Sequence, residues 1–203
     1  MSSLRLALLV SGASGMVLPR RVLAALADHP EVERLHLVVS RGASQVLRHE
    51  LGPTRTGAEA LIEAAAPTEI GRAKIAVHRD NDLDAPIASG SYPFDGAVVL
   101  PCSAGTLGAL AVGTASTLVH RTAAVAMKEG LPLVLGFRET PFSLLHVENM
   151  RRLILAGATL LPPLPAFYVG EDMARFVDHY ALRVLDRFGL RETEATGLRW
   201  GEP

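Results

Sequence analysis

Cysteine is nearly missing from this chain. Cys102 stands alone among 203 residues, which excludes an internal disulfide framework and a zinc site built on cysteines. Charge is also scarce: 20% of residues are charged, below the common ~25%. The balance of −1 gives no electrostatic reason to expect nucleic acid or an anionic membrane as partner. Aromatic residues make up only 5% and include a single tryptophan, Trp200. A membrane span is lacking too. The segment Gly96 to Val119 carries no charged residue, but Pro101, Cys102, Ser103, four glycines and several threonines interrupt it, so it reads as a buried strand, loop and helix. No internal repeat, low-complexity tract or interdomain linker is visible. Met1-Ser-Ser-Leu-Arg5 runs straight into a strand-like segment with no cleavable signal, so a cytoplasmic protein is expected.

What the chain does have is apolar surface. Hydrophobic residues reach 49%, a surplus for its size that predicts burial between subunits and hence an oligomer. Short apolar runs alternate with helical spacing. Strands are expected over Leu4–Ser11, Leu35–Ser40, Lys74–His78, Ala97–Leu100, Leu131–Phe137 and Thr159–Leu161. Helices are expected over Met16–Ala27, from Ser40 to about Leu51, and over Glu59–Ala66, Leu107–Val112, Leu118–Glu129, Leu144–Ala156 and Met173–Phe188. Strands of four to seven apolar residues between helices predict an α/β fold, a doubly wound and mainly parallel sheet with both faces covered. Residues 1–190 read as one domain and 191–203 as a polar tail.

Two loops carry the chemistry. Ser11-Gly-Ala-Ser-Gly15 follows the first strand and opens the first helix. Its glycines permit tight turning, and Ser14 can donate to a phosphate at the helix N-terminus. It is not G-x-G-x-x-G, and the second strand ends in Ser40-Arg41 where a dinucleotide fold supplies an acid for the ribose, which counts against NAD. The second loop is Pro101-Cys-Ser-Ala-Gly-Thr106, at the end of an apolar strand. Cys102 has no histidine or acid nearby in sequence to activate it and reads as a small pocket-lining residue. Arg121, Lys128, Arg138 and Arg183 are cations in or beside apolar segments, and Arg138-Glu139 ends a buried strand, where this architecture opens its crevice. Several converging cations with an acid at hand suit a phosphate leaving group. Tyr168 follows a proline-rich stretch that can hold its hydroxyl in a site. His146 and Glu148, two apart, share no helix face, and Asp80, Asp82 and Asp84 lack the glycine and closing glutamate of a calcium loop, so no metal is expected.

In order along the chain, S-G-A-S-G, V-V-S, I-A-S-G-S, V-V-L-P-C-S-A-G-T-L, R-T-A-A-V-A-M-K-E, L-V-L-G-F-R-E-T-P-F, L-H-V-E-N-M, G-A-T-L-L-P-P-L-P-A-F-Y and R-V-L-D-R-F-G-L resemble the flavin prenyltransferases of the UbiX/Pad type. The resemblance implies a Rossmann-like (flavodoxin-like) subunit in a dodecamer. It implies transfer of a dimethylallyl group from dimethylallyl phosphate to N5 and C6 of reduced FMN, with a UbiD-type decarboxylase using the prenylated FMN and no metal required. By motif, Gly12, Ala13, Ser14, Ser40, Cys102, Ser103, Ala104, Gly105 and Arg138 would contact FMN. Lys128, Glu139, Tyr168 and Arg183 would hold the prenyl phosphate, with Arg121 nearby; the catalytic set would be Glu139, Lys128, Arg138 and Glu50, the last placed by its spacing from Ser40. Trp200 resembles the tryptophan of the family's tail. The alternatives are a flavin-dependent cysteine-type decarboxylase, whose Asn-rich P-x-M-N motif is absent here, and a non-catalytic flavin carrier, which needs no second phosphate site.

Overall fold

The structure is a computed structural model and describes residues 3–191 and 198–201. Six strands form one sheet: β1 (Leu4–Val10), β2 (Val32–Val39), β3 (Ile75–Arg79), β4 (Gly96–Cys102), β5 (Leu133–Phe137) and β6 (Thr159–Leu160). Every pairing is parallel and the spatial order is β3-β2-β1-β4-β5-β6, that of a Rossmann-type doubly wound sheet. The order reverses between β1 and β4, so the crevice above their carboxyl ends is where such a fold binds ligands.

The apolar strand runs are explained by burial on both faces. On one face Leu6, Leu8 and Val10 of β1 and Val98 and Leu100 of β4 pack against α1 (Val17–Asp28), α2 (Arg41–Leu51), α3 (Gly57–Ala65) and α8 (Met173–Asp186). On the other, Ala7, Leu9, Ala97 and Val99 meet α5 (Ala104–Ala111), α6 (Leu118–Lys128) and Leu153 of α7 (Leu144–Leu155). Alternation along a strand divides the two sets. Cys102 breaks it: β4 shifts register between Val99 and Cys102, and the irregularity turns the thiol to the same face as Val99. Pro101 donates no ladder hydrogen bond, so in a central strand it belongs at such an irregularity. The strand thus runs through the proline to Cys102, two residues beyond the Leu100 end expected from sequence.

One helix lies outside the elements expected from sequence: α4 (Glu69–Lys74), six residues long and capped by Thr68, whose side chain accepts from the Gly71 amide. Six residues are too few to show a helical period. The other expected helices are present. α7 is unusual for a surface helix. It buries only Leu153 and leaves Leu144, Leu145 and Leu155 75%, 76% and 73% exposed, beside a half-exposed Phe142. That is the surplus apolar surface anticipated from composition. Among the described residues, no helix is long and apolar enough to cross a membrane. The tail assignment falls partly on residues outside the described ones.

Candidate active site

At the switch point, the loops after β1 and β4 are tied together. The buried Ser11 hydroxyl donates to the Pro101 carbonyl (2.8 Å) and accepts from the Ser103 amide (2.8 Å). Ser103 caps α5: its hydroxyl accepts from the Thr106 amide (3.3 Å) and donates to the Thr106 hydroxyl (3.1 Å). The Ala104 and Gly105 amides carry no hydrogen bond among the described residues, and a Cβ on Gly105 would meet nothing within 4 Å. Two unspent N–H groups on a helix N-terminus, open to the crevice, form an anion cradle. Thr106, the last residue of the Pro101–Thr106 loop, braces the cradle by holding the Ser103 hydroxyl; its place at the third position of a capped helix is the signal for that role.

The first loop differs from expectation. The N-terminus of α1, anticipated as a phosphate site, is taken by this chain's own carboxylate: Glu50, near the end of α2, accepts from the amides of Gly15 (2.8 Å) and Met16 (2.7 Å). The helix start left open at the switch point is therefore that of α5, and Ser14 has a half-buried side chain at the rim. Gly12 is required by packing, since a Cβ there would come within 3.0 Å of the Gly42 backbone. Ser40 caps α2 by accepting from the Ala43 amide (3.1 Å). Gly12, Ala13, Ser14, Ser40, Ser103, Ala104 and Gly105 thus share the C-terminal edge of the sheet.

The Cys102 side chain is an exception. It is fully buried and its thiol is pushed up to about 12 by that burial. It offers the crevice no sulfur, and a ligand at this position meets the loop from Ser103 onward.

Arg138 and Glu139 leave β5 beside this cradle, for Cys102 and Phe137 are register partners and the Arg138 amide donates to the Cys102 carbonyl (3.1 Å). Arg138 is exposed; Glu139 is half-buried and accepts from the Thr140 amide (3.0 Å).

The remaining candidates form two separate groups. Arg121 and Lys128, two turns apart on α6, both lie over the Ile87–Ser91 loop. Arg121 Nε donates to the Ala88 carbonyl (2.8 Å). Lys128 pairs with Glu129, and its ammonium would be struck by a Cβ on Gly90. Tyr168 and Arg183 lie with α8: the Tyr168 hydroxyl is 2.9 Å from Nε2 of His179, Arg183 follows His179 by one turn, and Trp200 meets the Tyr168 ring edge-on at 5.3 Å. The helices α6 and α8 cover opposite faces of the sheet, and among the described residues no hydrogen bond, ion pair or ring contact joins the two groups. Asp80 is explained by capping: its carboxylate accepts from the Val119 amide (3.1 Å) at the start of α6. Among the described residues no cluster suits a metal ion.

Fold and crevice together define a nucleotide-binding α/β protein with its anion cradle at the topological switch point. The Flavoprotein family model matches residues 1–178. Flavin prenyltransferase UbiX of Pseudomonas aeruginosa is 37% identical over 98% of this chain and 94% of its own length. Among solved structures, AnUbiX (PadA1) in complex with FMN and dimethylallyl pyrophosphate superposes with a TM-score of 0.80 at 38% identity, covering 93% of both chains. A dodecameric FMN-dependent UbiX-like decarboxylase from Escherichia coli O157:H7 gives 0.83 at 38% identity, covering 97% of this chain and 99% of that one. The chain belongs to the UbiX-type flavin prenyltransferases within the flavoprotein family. Likeness to the cysteine decarboxylase TvaF, at 21% identity and a TM-score of 0.59, is a likeness of fold alone.

Proposed function

We propose that this protein transfers a dimethylallyl group from dimethylallyl phosphate to N5 and C6 of reduced FMN, releasing phosphate. The observation that carries this reading is its likeness, over 93% of both chains, to a subunit solved with FMN and a dimethylallyl pyrophosphate. The residues present fit FMN: the open Ala104 and Gly105 amides suit a terminal phosphate. Arg138 supplies further donors, Ser103 and Thr106 brace the cradle through their mutual hydrogen bonds, and Gly12, Ala13, Ser14 and Ser40 form the rim. Reduced FMN supplies the electron-rich positions that accept the allyl carbons.

The chain's own task is to hold the donor and stabilise its leaving group. As the allylic carbon–oxygen bond breaks, negative charge gathers on the departing phosphate. Lys128, Arg121 and Arg183 offset that charge, and the Tyr168 hydroxyl donates to it. Glu139, half-buried beside the cradle, handles the proton on the phosphate oxygen. Glu50, clamped to the Gly15 and Met16 amides, fixes the β1–α1 loop at the flavin edge. A site closed to water keeps the allyl cation from hydrolysis.

The two outlying groups reach one donor only if different copies of the chain contribute them. The bare apolar face of α7 supplies surface for such an assembly, which we take to be a dodecamer like that of the Escherichia coli relative. A UbiD-type decarboxylase in the cytoplasm is the recipient of the product.

The test is anaerobic incubation with reduced FMN and either the mono- or the diphosphate donor, read by mass spectrometry. The reading expects a flavin heavier by one C5H8 unit with one donor. Unchanged flavin with both would leave a flavin carrier.

A further inference from the structure

Tyr168 has little to hold it. It sits on a three-residue turn, Phe167–Val169, in which only Val169 is buried, and the phenol itself is 49% exposed. Its partners are Trp200, edge-on at 5.3 Å, and His179, whose ring meets it edge-on at 5.6 Å with Nε2 2.9 Å from the hydroxyl. His179 is 9% exposed and rides on α8 between the buried Val177, Tyr180 and Ala181, so it is the fixed member of the pair.

We propose that His179 is a positioning residue of the prenyl-phosphate site, its Nε2–H donating to the Tyr168 oxygen so that the phenolic O–H is free to donate to phosphate. The inference rests on reading Tyr168 as a phosphate-holding residue. The chemistry fixes the direction. A phosphate dianion only accepts, and a phenol has one hydrogen to give. If Tyr168 donated to His179, its lone pairs would face the anion. If His179 donates, the phenol presents its hydrogen. Burial, and after it Arg183 and Arg199, push the His179 imidazole below its ordinary value, with Asp186 opposing. The ring is therefore neutral near pH 7, and its tautomer sets which way the bond runs. Arg183, one turn along the same helix, supplies the charge that the neutral ring does not.

The test is calorimetric titration of dimethylallyl phosphate into protein loaded with oxidised FMN, where binding is read without turnover. His179→Phe keeps a ring against Tyr168 and removes the donor; it should weaken binding about tenfold, the worth of one hydrogen bond to a charged ligand. His179→Gln puts an amide nitrogen near the Nε2 position and should bind within about twofold of the parent. His179→Asn puts it near the Nδ1 position and should match Phe; should Phe not fold, the Asn and Gln pair decides. In a Tyr168→Phe background His179→Phe should make no further difference, and FMN affinity should not change in any variant. Parental binding by His179→Phe, or an equal loss with and without the Tyr168 hydroxyl, would overturn the inference while leaving Tyr168 in its role. Parental binding by Tyr168→Phe would overturn that role and the inference together.

Discussion

The Ser11 hydroxyl joins the two ligand loops through Ser103: it accepts the Ser103 amide and donates to the Pro101 carbonyl, both at 2.8 Å. One buried side chain, 1% exposed, thereby sets the distance between the β1 and β4 edges of the crevice. Ser11→Ala leaves the Ser103 amide without its partner, while the Pro101 carbonyl keeps the Ser11 backbone amide (3.2 Å), a cost of about 1–3 kcal/mol. Urea unfolding should register that loss and FMN titration a weaker affinity. An unchanged unfolding midpoint would mean that water replaces the hydroxyl.

Glu50 contributes through the two amides that lead into α1. Glu50→Ala returns the Gly15 and Met16 N–H groups to solvent, which for an exposed cap costs about 1 kcal/mol. Turnover should fall by much more than stability, since the loop at the flavin edge loses its anchor. Equal turnover in Glu50→Ala and the parent would remove Glu50 from the site.

Cys102 should be inert. Burial holds its thiol up to about 12, so the native protein should resist alkylation at neutral pH and label only on unfolding. Cys102→Ala should keep turnover within about threefold, with a modest loss of stability from the small cavity. A drop in turnover beyond a hundredfold would return the sulfur to the chemistry.

A pH effect on stability is expected at β2, where a buried imidazole sits between β3 and Tyr92. His36 lies 2.9 Å from His78 and 3.1 Å from the Tyr92 hydroxyl. Burial first, then His78, Arg34 and Arg5, lower its imidazole to about 4 from 6.5. As pH falls, the unfolded chain takes up this proton before the folded one. Stability present above pH 6.5 is therefore lost progressively down to about pH 4. Unfolding midpoints between pH 7 and 4.5 should fall, and His36→Leu should flatten the slope; an identical slope in both would assign it elsewhere.

Local structure was readable from sequence wherever apolar periodicity is strong. The central strands β1, β4 and β5 announce themselves as short greasy runs, because strands covered on both faces have no polar side to show; the edge strands β3 and β6 carry no buried residue and show a weaker signal. The start of β2 at Val32 was missed because Glu33 and Arg34 point away from the core at its exposed beginning. The candidate loops were legible as small-residue breaks after strands. What spacing does not encode is which helix N-terminus is already filled: Glu50 lies 35 residues from Gly15, and only the packing of α2 beside α1 brings them together. Nor does it encode sides. Lys128 and Arg183 read alike as cations near helix ends, yet the sheet separates them. The contact of His179 with Tyr168 has no counterpart in the linear pattern either, since a loop and the start of α8 separate the two.

The account stands on a reaction centre assembled from both faces of the sheet by different copies of one chain. Two variants measure this directly: Arg121→Ala/Lys128→Ala, lacking the α6 cations, and Tyr168→Phe/Arg183→Ala, lacking the α8 group. Each alone should leave FMN almost unmodified under anaerobic assay. Dissociated, mixed and reassembled, the two should again yield flavin heavier by one C5H8 unit, because some junctions then receive an intact α6 from one copy and an intact α8 from another. A mixture as inactive as its components, in assemblies confirmed to contain both chains, would contradict the claim.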